Sequence, residues 1–98
     1  MKVLVEFLGY AARKVGRNWL WVEVNEGETL RDVFLKYLGL RLENEVVEAL
    51  MNAFMRGEVR VAVNGRVVGS LDAKLNDGDK ILVFPIAAGG DTCFKKMF

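Results

Sequence analysis

The stretch that most limits how this chain can fold is Lys80 to Gly90, Lys-Ile-Leu-Val-Phe-Pro-Ile-Ala-Ala-Gly-Gly, where a short apolar run meets a proline and then loses its side chains. Ile81 to Phe84 has the β-branched and aromatic content of an interior strand. Pro85 lacks the N–H that a central ladder needs, so the interior strand cannot continue past it. Ile86 is followed by Ala87, Ala88, Gly89 and Gly90, which offer almost nothing to bury. The expectation is a thin, flexible arm, reaching at most roughly 16–18 Å beyond Pro85. That is long enough to carry a main-chain carboxylate into another protein's active site. Paired glycines are also common in loops, so Gly89 and Gly90 alone equally suit a linker, and the rest of the chain has to decide.

At 98 residues there is room for one domain and one core. Counting glycine, apolar residues make up about 60% of the chain, above the usual 45–50%. The excess is expected to lie partly on the surface, as a partner site. The 14 Lys and Arg nearly balance the 13 Asp and Glu, which argues against nucleic acid or an acidic membrane as the main partner. Arg13, Lys14 and Arg17 gather in one segment, and Arg13 and Lys14 are candidate partner contacts. There is no His and a single Cys, Cys93. An internal disulfide is therefore excluded, and no metal-ligand cluster is expected. Glu6 interrupts the first apolar run after Val3, Leu4 and Val5, so neither a signal-peptide core nor a membrane span is read, and a cytoplasmic location is expected.

Val3, Val5 and Phe7 alternate with Leu4, Glu6 and Leu8, the pattern of a central strand. Gly9 to Asn18 reads as a long loop leading to a second strand, Trp19 to Val24. Trp19 and Trp21 share one face of that strand; indoles suit core or binding patch, and core is the expectation taken. Thr29 and Asp32 form a helix-start signal. Leu30, Val33, Phe34, Tyr37 and Leu38 then make one apolar stripe that ends at Gly39. A second helix is expected from about Glu43 to Met55, with Val46, Val47, Leu50, Met51 and Phe54 inward. Val59 to Val63 and Arg66 to Val68 flank Asn64-Gly65, a two-residue hairpin turn. After an irregular connection and the turn Asn76-Asp77-Gly78-Asp79, Lys80 to Phe84 is the last strand.

The order strand, strand, helix, helix, strand, strand, strand predicts an α+β fold: a mixed sheet of about five strands on a helix plus a second short helix, with the first and last strands parallel at the centre. That is the ubiquitin-like β-grasp. Val61-Ala62-Val63-Asn64-Gly65, Leu75-Asn76-Asp77-Gly78-Asp79 through Pro85, and Ala88-Gly89-Gly90 resemble the sulfur-carrier family that includes ThiS and MoaD, the small subunit of molybdopterin synthase, with MoaD the nearer. The resemblance implies a β-grasp domain over residues 1–85, an arm over 86–90 and a tail over 91–98.

It further implies that Gly90, once C-terminal, is adenylated by a ubiquitin-activating-type adenylyltransferase of the MoeB/ThiF kind, which consumes ATP, and is then thiocarboxylated. The arm Pro85, Ile86, Ala87, Ala88 and Gly89 would enter a MoaE-like large subunit of molybdopterin synthase to deliver sulfur. Phe7 and Phe84 would join Arg13 and Lys14 in partner contacts. No permanently bound cofactor is implied, and the chain is not an enzyme on its own.

Two departures stand out. Ile86 occupies a place where the family usually has a second proline, and Asp91 to Phe98 follow the glycines. Either a processing protease removes those residues, or they were appended for expression, or this member has lost carrier function. Two alternatives remain beside the carrier: a protein modifier joined to lysines through Gly90, and a non-covalent interaction module.

Overall fold

The computed structural model describes residues 1–86. The expected arm residues Ala87, Ala88, Gly89 and Gly90, and the tail 91–98, lie outside the described residues. The elements are β1 (Lys2–Phe7), α1 (Gly9–Val15), β2 (Trp19–Glu23), α2 (Leu30–Asp32), α3 (Asn44–Met55), β3 (Val59–Val63), β4 (Arg66–Val68) and β5 (Lys80–Pro85). The strands form one sheet of five in the order β2-β1-β5-β3-β4. β1 and β5 are the parallel pair, and the other pairings are antiparallel. This is the expected β-grasp architecture.

Strand alternation sorts side chains between the two faces of the sheet. Val3, Val5 and Phe7 of β1, Leu20 and Val22 of β2, Val59 and Val61 of β3, and Ile81 and Val83 of β5 all face inward and are buried. Against them pack Leu30, Val33, Phe34 and Leu38 of the first long helical segment and Val47, Leu50 and Ala53 of α3. The start of α2 is a reciprocal cap. The Thr29 N–H donates to Asp32 Oδ2 at 2.9 Å, and the Asp32 N–H reaches back to Thr29 Oγ1 at 3.4 Å. The Thr29 N–H bond to the carboxylate favours its ionised form and, with a smaller contribution from Glu28, holds the Asp32 carboxyl below its ordinary range.

Three expectations need correction. The segment after β1 is not simply a loop, because Gly9–Val15 is helical. It has no side-chain N-cap, so the usual start signal was missing. Its signature is Ala11 buried in the core, Ala12 and Val15 packed against it, and Gly16 closing the turn at φ 87° with its N–H on the Ala12 carbonyl. Gly39 does not end the first long helix. The chain widens into a π-helical turn (Val33–Tyr37) and then tightens into a 3-10 turn (Leu38–Leu40) that contains Gly39. Trp19 and Trp21 are not core: they are 56% and 47% exposed. Register explains it. Leu20 lies opposite Val5 and Val22 opposite Val3, so those pairs take the buried face and the indoles must take the other.

Candidate functional site

The site is built on β5, because the sequence leads from that strand to Gly89 and Gly90. Its beginning is anchored by a side-chain network around the Asn64-Gly65 turn. Asn64 has a left-handed backbone, φ 52°, which a short amide side chain tolerates. Its Nδ2 donates to Asp79 Oδ1 at 2.8 Å, and its Oδ1 accepts from the Lys80 N–H at 2.9 Å. The second Asp79 oxygen accepts from the Asn76 N–H at 2.7 Å. Asp79 is only 8% exposed, and these bonds compensate for removing its carboxylate from water.

The far end is held from both sides. The Leu8 N–H donates to the Val83 carbonyl at 2.9 Å, and the Ile86 N–H donates to the Glu58 carbonyl at 3.0 Å. The ring of Pro85 lies against Gly9, where an added Cβ would sit 3.0 Å from Pro85 Cγ and where φ is +56°. A side chain at residue 9 would therefore face both strain and collision. Beside this exit the Arg56 guanidinium grips Glu58 through two bonds of 3.0 Å. That contact holds the Glu58 carboxyl below its ordinary range and raises Arg56. Chain direction at the arm's origin is thus set by main-chain bonds and close packing.

Around this exit lies the outward face of the sheet. The register places Trp21 beside Leu4, Trp19 beside Glu6, Glu6 beside Leu82, Leu82 beside Ala62, and Ala62 beside Val67. Phe84 stands opposite Arg60. Trp19, Trp21 and Val67 are exposed, and Leu4, Leu82 and Phe84 are half-buried. The result is a largely apolar open face, of the kind that marks a protein contact. Trp19, Trp21 and Leu82 were not singled out for binding from the sequence. The usable signal was the parity of Leu4 and Glu6, which places their neighbours on the same side.

The candidate contacts fall in different places. Phe84 is on the open face, next to the arm exit. Phe7 is fully buried; it shares the parity of Val3 and Val5, so it supports the strand from below and offers no surface to a partner. Arg13 and Lys14 are exposed in the last turn of α1. Pro85 and Ile86 are the arm's described residues. Ala87, Ala88, Gly89 and Gly90 are outside the description. Among the described residues no group of three or more His, Cys, Asp and Glu side chains is placed to hold a metal ion, and no helix is long and apolar enough to cross a membrane.

Among solved structures the chain is similar to SAMP1 from Haloferax volcanii, with 21% identity, a TM-score of 0.65, and coverage of 92% of this chain and 100% of that one. It is also similar to a putative molybdopterin converting factor, subunit 1, from Pyrococcus furiosus, at 28% identity and TM-score 0.63, covering 89% of this chain and 99% of that one. A third match is the complex of subunits 1 and 2 of molybdopterin-converting factor from Helicobacter pylori 26695, at 23% identity and TM-score 0.59, covering 92% of this chain and 100% of the matched chain. No curated protein matches the chain. The profile of the ThiS family matches residues 5–90, from within β1 through the second glycine of the arm. With that span and this fold, the chain belongs to the ThiS family of ubiquitin-like sulfur carriers.

Proposed function

We propose that this protein carries sulfur on Gly90 for synthesis of a molybdenum or tungsten pterin cofactor. The observation that carries the reading is the family match itself, which runs through the arm and stops at Gly90. After removal of residues 91–98, a partner adenylyltransferase uses ATP to convert the Gly90 carboxylate, a poor electrophile, into a reactive acyl-adenylate. A sulfur donor then displaces the nucleotide and leaves a thiocarboxylate. Glycine suits this position because no Cβ obstructs approach to the carboxyl group. No side chain of the carrier has to take part in the chemistry, and no cofactor stays bound to it.

The body of the protein then has two tasks, aiming the arm and docking. Pro85 packed on Gly9, with Ile86 tied to Glu58, supports the first. The open face with Trp19, Trp21, Leu82 and Phe84 supports the second: a MoaE-like large subunit would cover it while the arm enters that subunit's active site. Two of the similar structures support this: a putative molybdopterin converting factor subunit 1, and a complex of subunits 1 and 2 of molybdopterin-converting factor. A cytosolic setting suits this reading, because one cysteine provides no internal disulfide.

The deciding experiment is the intact mass, with C-terminal peptide sequence, of the protein taken from its native cells. A chain ending at Gly90 with one carboxylate oxygen replaced by sulfur is expected. A chain kept whole to Phe98 would mean Gly90 is blocked and would end the carrier reading. A second reading, conjugation of Gly90 to lysines of other proteins, is favoured by the likeness to small archaeal modifier proteins from two organisms. Isopeptide-linked Gly90 in cell extracts would establish it.

A further inference from the structure

The edge of β2 lies open, with a basic cleft beside it. β2 ends the sheet on one side. Its ladder to β1 is bracketed by the Phe7 N–H on the Asn18 carbonyl and the Val24 N–H on the Met1 carbonyl, both 2.8 Å. In an antiparallel pair alternate residues direct both main-chain groups to the same side. Residues 18, 20, 22 and 24 therefore face β1, and Trp19, Trp21 and Glu23 turn their N–H and C=O groups outward. Among the described residues one group meets that edge: Arg41 Nη1 donates to the Trp21 carbonyl at 3.0 Å.

Arg41 also lines an open cleft of about 350 Å³, with Lys14, Val15, Arg17, Leu42, Glu43 and Val46. Val15, Leu42 and Val46 give it an apolar floor, and three cations against the one carboxylate of Glu43 give it a positive rim. Among the described residues neither Lys14 nor Arg17 is in an ion pair. An unpaired edge is a template for strand addition, and the rim selects which strand.

We propose that the β2 edge binds an extended acidic segment of a partner protein by strand addition, one with Asp or Glu alternating with apolar residues. In that pose one set of side chains lies on Trp19 and Trp21. The other set points toward the cleft, where carboxylates meet Lys14 and Arg17. An incoming N–H takes over the Trp21 carbonyl, which frees the Arg41 guanidinium for a carboxylate of the same segment. A second copy of this chain fits less well, because edge-to-edge pairing would bring two such cationic rims together. The inference does not rest on the carrier reading, since it does not use the arm, but Trp19 and Trp21 also border the open face proposed for the large subunit, so the two partners would compete there.

The test uses the full chain and an acetylated peptide of alternating Asp and Val, followed by amide NMR. Expected are shifts and slowed hydrogen exchange at Trp19, Trp21 and Glu23, weakening with salt, and affinity about tenfold lower or worse for the double variant K14E/R17E. Both substituted residues are exposed, and an unchanged melting temperature checks that the variant folds. Two control peptides on the unaltered chain test the idea without any variant: alternating Lys and Val, and the acidic sequence interrupted by proline. Equal binding of either overturns the proposal. So do shifts centred on Leu82 and Phe84, no shift at millimolar peptide, or dimerisation through the same amides without peptide.

Discussion

The two faces of this sheet are made from the same strands yet do opposite work. On β1, Val3, Val5 and Phe7 are sealed in the core while Leu4 and Glu6 remain reachable from outside; on β2, Leu20 and Val22 are sealed while Trp19 and Trp21 stand out. The largest side chains of β2 lie on the face with nothing packed over them among the described residues. A core needs complementary shape against the helices, and Leu20 and Val22 supply it opposite Val5 and Val3. Aromatic area left on the other face contributes little to folding and much to binding. Size and hydrophobicity therefore do not tell core from interface here; parity within the strand does.

The contrast is broken most severely at Phe7. Phe7→Ala is expected to cost about 3–5 kcal/mol through the cavity it leaves, read from the denaturant midpoint. Trp21→Ala, on the opposite face, should cost about 1 kcal/mol or less while weakening a docked large subunit. Similar losses for both would mean the outer face is structural.

Next come the two ends of β5, which serve both faces. Asn64→Ala removes a donor from nearly buried Asp79 and an acceptor from Lys80, and about 2 kcal/mol is expected by chemical denaturation. Gly9→Ala meets a positive φ and the ring of Pro85, with an expected loss of about 1–2 kcal/mol. Because it shifts the arm's origin, it should also slow activation of Gly90 under conditions where the variant remains fully folded.

The smallest effects belong to the surface carboxylates. Asp32 and Glu58 both titrate below their ordinary values in the folded chain. Each therefore stabilises the fold above its unfolded pKa and loses that contribution as pH falls through its lower folded pKa. Melting temperature should decline on acidification through that window, and the decline should be shallower in Asp32→Asn and in Glu58→Gln. An unchanged acid limb in both variants would assign the decline to other groups.

Much of this was legible in the residues. The alternation in β1, the Thr29–Asp32 cap and the Asn64-Gly65 turn are local signals with local causes, and they appear where expected, whereas β5 runs one residue beyond its expected end at Phe84, with Pro85 paired to Val59. α1 was not legible, because a seven-residue helix without a side-chain cap leaves few periodic positions. The π and 3-10 turns that carry the first long helix past Gly39 depend on how Val33, Phe34 and Leu38 are drawn into a core contributed by distant strands.

By itself, then, the sequence determined the order of the five strands and the two longer helical segments and the pairing of the hairpins, since each follows from side-chain period or turn geometry within a few residues. Only the tertiary structure decided which side of β2 is inside, that Phe7 supports rather than contacts, and that Gly9 must lack a side chain to let Pro85 approach. Those outcomes depend on register and on contacts between residues up to 76 positions apart, as Gly9 and Pro85 are, and no local pattern carries them.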